Sequence, residues 1–367
     1  MINYRKGKVV KILRSYGGCT EINVVTDTGE QRAINYDLLT GKIQEGDDVL
    51  LNTTAVDLGL GSGGYHFVVC VNDGTRVQNR KKLHKSDGHI MKLRYTPMQF
   101  SVLSAEEQGS PYHERFNEFQ SLTGMPVIIG ELHSMLVAAV FNIKGQNRNL
   151  NVSYIMTDGG ALAANFSRNV QFLKQNGLLQ ATITFGQAFG GDYEAVNIYT
   201  ALITAKEVVK SDIAVVTMGP GITGTGTKYG FSGIEQGTII DAVNTLGGRP
   251  IFIPRISFAD KRQRHYGISH HSITILKEIA KTSAQVIIPK LSKEKYEYIV
   301  NQLKTHGIDQ KHEIIVVEEQ QEVLKNISNC GIKLSTMGRG LEQDTEFFLA
   351  AGSAGYHSAH ISRGRFL

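Results

Sequence analysis

Three arginines, Arg255, Arg262 and Arg339, stand just beyond short apolar runs of this chain, close to glycine-rich stretches. A guanidinium is a planar fork of donors that meets phosphate or carboxylate with two hydrogen bonds at once. Glycine lets successive backbone N–H groups approach one anion. The glycines concerned are Gly159, Gly190, Gly191, Gly219, Gly221, Gly224 and Gly226, the last followed by Thr227 and Lys228. Together these residues predict a site for a small anionic ligand, phosphorylated or carboxylated. Asp158, Asp192, His270 and His271 are the catalytic candidates, able to move protons there.

The stretch Gly219–Lys228 comes near two phosphate motifs. Gly219, Gly221 and Gly224 match GxGxxG, and Gly221 and Gly226 have the glycine spacing of a P-loop. A dinucleotide fold opens its helix inside the motif. Here the polar run continues to Gly233, so the helix is expected only near Ile234. A P-loop ends in Lys-Ser or Lys-Thr, whereas Thr227-Lys228 has the reverse order. A looser phosphate-cradling loop is therefore expected, and no cofactor is named by the sequence.

His270 and His271 open a predicted helix. Adjacent helical residues point to different faces, so both would hold one ion only with distortion. One of them, with His265, Asp158 and Asp192, would suit a divalent metal or an acid–base pair. Against this, Ser269 or His270 would cap the helix and His271 would pack. No metal site is assigned. Glu131 and His133 lie in a predicted strand at i and i+2, facing one side; either they pair within the core, the structural reading, or they reach a cleft between domains. His357 and His360 are read as solvated or packed. Neither HExxH nor GxSxG occurs.

The elements that must position these groups follow from periodicity. From Val127 on, apolar strands alternate with helical segments of ten or more residues. The strands are Leu136–Ile143, Val152–Thr157, Ala181–Phe185, Ile213–Thr217, Pro250–Pro254, Gln285–Ile288, Glu313–Val317 and Ile332–Ser335, after a first one at Val127–Ile129. Helices are expected near Leu162–Gln175, Tyr193–Val209, Ile234–Leu246, Ser269–Thr282, Lys293–His306, Glu319–Ser328 and Glu346–His360. Near-continuous apolar strands alternating with helices imply an α/β fold, a doubly wound and mostly parallel sheet covered on both faces. Val127–Ile143 is read as an antiparallel hairpin at one edge. In such sheets ligands bind beyond the carboxyl ends of the strands, and the glycines and arginines above follow strands.

Ahead of this lie five short strands: Lys8–Arg14, Glu21–Thr26, Gln31–Tyr36, Asp48–Asn52 and His66–Val71. Turn signals such as Asp27-Thr28-Gly29 and Gly46-Asp47 separate them. They predict a small β-barrel of the SH3-like or OB-like kind. A basic connector carries Arg76, Arg80, Lys81, Lys82, Lys85, Lys92 and Arg94. The domains expected are a barrel with connector over 1–95, a linker and edge hairpin over 96–150, and the α/β domain over 151–367.

The chain has 367 residues, 41% hydrophobic and 20% charged, the balance of a folded protein rather than a disordered one. The net charge of +5 permits an anionic partner. The 3 cysteines, Cys19, Cys70 and Cys330, show no CxxC, which points to a reducing, cytoplasmic setting. Met1–Arg14 lacks the apolar core of a signal peptide. The most apolar stretch, Met125–Ile143, contains Glu131, His133 and Asn142, which lipid would penalise.

Gly63-Gly64-Tyr65-His66-Phe67, Tyr154–Leu162, Ser269-His270-His271-Ser272, and Ser335–Gly340 with Phe347–Gly355 resemble a bacterial family of full-length proteins classed only as a domain of unknown function. The resemblance covers nearly the whole chain and implies a bacterial, intracellular origin. It brings no activity and no catalytic residue. The leading expectation is thus an α/β domain holding a small anion, as a binder or an enzyme. The alternative is an adaptor, with the barrel and basic connector binding nucleic acid or protein. No membrane partner is expected, and the sequence is compatible with a homo-oligomer.

Overall fold

The computed structural model describes residues 2–71 and 88–363. The chain divides after Ser101 into two compact units. In the first, β1 (Tyr4–Tyr16), β2 (Cys19–Thr26), β3 (Gly29–Tyr36), β4 (Asp48–Asn52) and β5 (His66–Val71) form a closed barrel in the order β1-β2-β3-β5-β4. Closure depends on β1. Its first residues pair with β4 and its later ones with β2. Register shifts between Val9 and Lys11 and between Ile12 and Arg14 bend it between the two partners, as bulges do. Val9, Ile22, Val24, Ala33, Val49 and Leu51 fill the interior. All five expected strands are present. Arg76, Arg80, Lys81, Lys82 and Lys85 of the basic connector lie outside the described residues. Two short strands follow, β6 (Ile90–Lys92) and β7 (Phe100–Val102).

The second unit is built on a wholly parallel eight-stranded sheet. Its strands are β8 (Pro126–Gly130), β9 (Val152–Thr157), β10 (Ala181–Phe185), β11 (Tyr193–Ala195), β12 (Ile213–Met218), β13 (Arg249–Ile253), β16 (Gln285–Pro289) and β17 (Glu313–Val317). A small ribbon, β14 (Ile256–Ser257) with β15 (Gly267–Ile268), lies between β13 and β16 in the chain. The sheet order is β11-β10-β9-β12-β8-β13-β16-β17. Every residue of β8, β9 and β12 is buried. Successive side chains point to opposite faces, so both faces are covered, as in a doubly wound α/β fold.

Three expectations for this unit are overturned. Val127–Ile143 is not an edge hairpin: β8 is a central strand, and the predicted strand 136–143 is part of the helix Met135–Gln146. Eight of that helix's twelve residues are buried. It packs against β12 and against the helices Gln320–Ser328 and Thr345–Arg363. A helix covered on nearly all sides has no single apolar stripe, so periodicity does not reveal it. The contact with Thr345–Arg363 is close: a Cβ on Gly355 would stand 2.1 Å from the Ala139 carbonyl oxygen.

The predicted strand 332–335 joins no sheet; there a turn is tied by two backbone hydrogen bonds between Thr336 and Arg339, each 2.8 Å. The predicted helix 193–209 begins instead as edge strand β11, and its helix Ile198–Ile203 starts where the Asn197 side chain accepts from the Tyr199 and Thr200 amides. Among the described residues no helix is long and apolar enough to cross a membrane.

Candidate functional site: a cationic pocket beside three imidazoles

From β8 the chain goes to β9 on one side of the sheet; from β12, the neighbour of β8, it goes to β13 on the other. The loops leaving these adjacent strands diverge, and such a switch opens a crevice at the carboxyl edge. Glu131 is the first residue after β8. Gly219 and the loop beyond it follow β12, and Arg255 stands just past β13.

Glu131 is fully buried. Its Oε1 lies 2.5 Å from His271 Nδ1 and 3.6 Å from Arg255 Nη1. Its Oε2 has no hydrogen-bond partner among the described residues. A buried charge is tolerated only when paired, and here one carboxylate serves two partners. Arg255 is itself buried. Its amide donates to Ser272 Oγ at 3.0 Å, and its carbonyl accepts from the Ser269 amide at 2.9 Å. The strand end is thus stitched to the start of the helix His270–Thr274.

Asp260 gathers the arginines. Arg262 donates to both its carboxylate oxygens, at 2.9 and 2.7 Å. Arg339 reaches Oδ2 at 3.5 Å and Arg255 at 3.8 Å. The Arg262 hydrogen bonds, with Arg339 nearby, hold the Asp260 carboxyl far below the usual range. Arg339 also donates to Asp344 Oδ2 at 2.8 Å, and the other Asp344 oxygen accepts from Ser257 Oγ at 2.8 Å. Glu131, Asp260 and Asp344 therefore stand against Arg255, Arg262 and Arg339. Arg264 meets no carboxylate among the described residues; its Nε donates to His265 Nε2 at 3.4 Å.

The imidazoles of His265, His270 and His271 cluster, with ring centroids 4.4 to 5.1 Å apart. The expectation that His270 and His271 diverge is overturned. The helix has barely begun at these residues, and its cap Ser269 accepts from the His271 amide. The short turn Gln263–His265 brings in the third ring, whose Nδ1 lies 2.8 Å from Ser269 Oγ. His271 stacks flat on Phe231, 3.9 Å between centroids. Burial first, then Arg255 and Arg262, push the His265 pKa down to about 3. Burial, His271 and Arg264 push His270 down to about 4. Both rings are neutral at ordinary pH.

A cavity of about 160 Å³ opens here, lined by Arg255, Arg262, Arg264, His265 and His271, with Ile222, Thr223, Gly224, Gly226 and Met337. A neighbouring cleft of about 310 Å³ shares Ile222 and Met337 and is lined also by Gly219, Gly221, His133 and Thr336. A larger hollow on the barrel, about 750 Å³, meets Lys6, Asp27 and Asp48 and gathers no cationic cluster.

Other anticipated residues are placed differently. Glu131 and His133 do not pair. His133 sits between the Tyr154 hydroxyl, 3.1 Å from Nδ1, and Ser167 Oγ, 2.6 Å from Nε2, and burial lowers its pKa to about 4. Asp192, just before β11, lies beside the start of β10, held by Lys174 and by the Thr182 amide and hydroxyl, away from the carboxyl edge. Gly190 and Gly191 brace that loop, donating to Glu194 and Thr184. Asp158 is exposed and accepts from the Gln187 amide at 2.9 Å. Gly159 is pressed against Met218 and Glu235, and Gly219 against the Ala161 carbonyl, so these two glycines serve loop packing. Lys228 pairs with Glu278 at 2.5 Å, and Thr227 with Thr225.

Sequence reasoning passed over Arg264, marked only by the basic run 261–265, and Glu235. Glu235 hydrogen-bonds Thr157 at the end of β9, and burial, aided by Asp158, raises its pKa to about 7.

Fold and pocket together define an α/β protein with an N-terminal barrel and a cationic, imidazole-lined cavity at the switch of its parallel sheet. The chain belongs to the family described as a protein of unknown function, DUF3866, whose model matches residues 32–355. No curated protein matches it.

Proposed function

We propose that the α/β unit binds a small anion, a phosphate or carboxylate group, in the cavity beside Gly224 and Gly226. One observation carries this reading: Arg255, Arg262, Arg264, His265 and His271 converge on a single cavity, and Arg264 brings a charge that no described carboxylate offsets. Guanidiniums with spare donors favour an anion. A cavity of about 160 Å³ accommodates the anionic group, and the neighbouring cleft takes the rest of a larger ligand. Arg262 and Arg264 clamp the anion, and Arg339 acts through Asp260 as a positioning residue. If chemistry follows, His271, held by Glu131, is the group placed to carry a proton, with Asp158 and Glu235 on the adjoining loop. The unpaired cysteines suit a reducing cytoplasm.

The test is a thermal-shift series with inorganic phosphate, sugar phosphates, nucleotides and carboxylates, with chelator present. A ligand that binds only the folded chain raises Tm in proportion to log concentration above Kd. Arg264→Ala should remove the shift and leave the unliganded Tm nearly unchanged. A panel without any shift, or shifts indifferent to Arg264→Ala, overturns the reading. Salt-sensitive nucleic-acid binding lost on neutralising Lys81 and Lys82 would favour the adaptor instead.

A further inference from the structure

We propose that His265, His270 and His271 are the ligands of one divalent transition cation of the zinc type. The site goes beyond the anion reading: it shares His265 and His271 with that cavity, and it stands on the spacing of the three rings. Among the described residues this is the one group of histidine, cysteine or carboxylate side chains close enough to share an ion, their ligand atoms all within 4.8 Å of one another. His270 Nε2 is buried and has no hydrogen-bond partner.

The nitrogens behind the rings are already engaged. His271 Nδ1 is held by the Glu131 carboxylate at 2.5 Å, and His265 Nδ1 by the Ser269 hydroxyl at 2.8 Å. This leaves Nε2 of each as the ligand atom, that of His265 accepting only a long hydrogen bond from Arg264 Nε, 3.4 Å. A metal-bound imidazole almost always has its other nitrogen held in this way by a carboxylate or another polar group, which fixes ring orientation and raises donor strength. The metal ligand is the neutral imidazole. Three imidazoles beside an open cavity match the zinc pattern of three protein ligands and one exchangeable position. Nitrogen donors select zinc, cobalt or nickel over magnesium or calcium.

The opposing force is charge. Arg255, Arg262 and Arg339 are matched by Glu131, Asp260 and Asp344, so the unbalanced cation is Arg264. Its hydrogen bond to His265 Nε2 is long and made by an exposed side chain, which must swing away when an ion arrives. Arg264→Ala should therefore tighten the cation while weakening the anion of the preceding section. Opposite signs in one variant separate the two ideas.

The experiment titrates the full chain with Co²⁺ after dialysis against chelator, in phosphate-free buffer near neutral pH. The expected result is one equivalent bound, with visible ligand-field absorption of a four- or five-coordinate site, and displacement by Zn²⁺ but not Mg²⁺. His270→Ala, at a half-buried position, and His265→Ala should each weaken binding by at least about tenfold. Circular dichroism and melting would confirm that His270→Ala is folded. No saturable Co²⁺ binding, displacement by Mg²⁺, or an affinity unchanged in either histidine variant overturns the proposal, and none of these outcomes bears on the anion panel, which is run with chelator.

Discussion

Glu131 Oε1 and His271 Nδ1 lie 2.5 Å apart although 140 residues separate them in the chain. One follows β8 and the other opens the helix His270–Thr274, so the contact joins the two sides of the sheet's switch point. The same carboxylate oxygen faces Arg255, which makes Glu131 the common counter-charge of a buried cation and an imidazole.

Removing that carboxylate leaves the buried Arg255 guanidinium with Asp260 alone, at 3.8 Å. Glu131→Ala should destabilise the fold by about 3–5 kcal/mol, the usual result of breaking one side of a buried pair. Glu131→Gln, which keeps the shape and one acceptor, should lose less. Urea unfolding checks this through the midpoint at constant m-value. A midpoint unchanged in Glu131→Ala would show that the pair contributes nothing.

Acid should loosen the fold well before the carboxylates titrate. The pKa values of His133, His265 and His270 fall from 6.5 to about 4, 3 and 4 in the folded chain. The unfolded chain then binds more protons than the folded one below the unfolded value. Their contribution is complete above 6.5 and is lost progressively as pH falls toward the folded values. For buried His133 it is on the order of 3 kcal/mol. Tm measured across this window should decline steeply, and His133→Gln, which does not titrate, should flatten the slope.

Glu235 should act in the opposite sense. Its pKa rises from 4.5 to about 7. The folded chain holds this proton more tightly, so the contribution is present below 4.5 and lost as pH rises through about 7. Glu235→Gln should therefore raise Tm relative to the parent above neutral pH and change it little in mild acid. An identical Tm difference at both ends would rule out titration of this group.

Helix packing makes a separate prediction. At Gly355 a methyl group would stand 2.1 Å from a backbone oxygen of the facing helix, and relief requires backbone movement. Gly355→Ala should cost about 1–3 kcal/mol, the range for overpacking a close contact. Gly340→Ala, whose added methyl meets its nearest neighbour at 3.8 Å, should be tolerated, and denaturant midpoints of the pair give the comparison.

Much of the framework was legible because burial leaves its mark on residue type. The five barrel strands and most parallel strands are short β-branched runs bounded by turn residues, and hydrophobic periodicity reports such elements directly. The helix Met135–Gln146 escaped because it is buried nearly all round and carries no polar face. The turn at Thr336–Arg339 follows an apolar run that reads as a strand, although that run has no partner in the sheet.

At the pocket, the types of group came from the sequence and their grouping came from the fold. Arginine after β13, glycines after β12 and two histidines at a helix start are readable one loop at a time, because each stands beside its own strand or cap. Asp192, Lys228 and Gly219 were readable in the same way, yet they serve an ion pair, another ion pair and a backbone contact. Which loops meet is decided by strand order, since β8 and β12 are neighbours in the sheet while far apart in the chain. The sequence by itself determined an α/β sheet with cationic, glycine-rich edges. Only the tertiary structure decided that Glu131, Arg255 and three imidazoles share one desolvated place, because charge pairing and burial act through distance in space and leave no periodic trace along the chain.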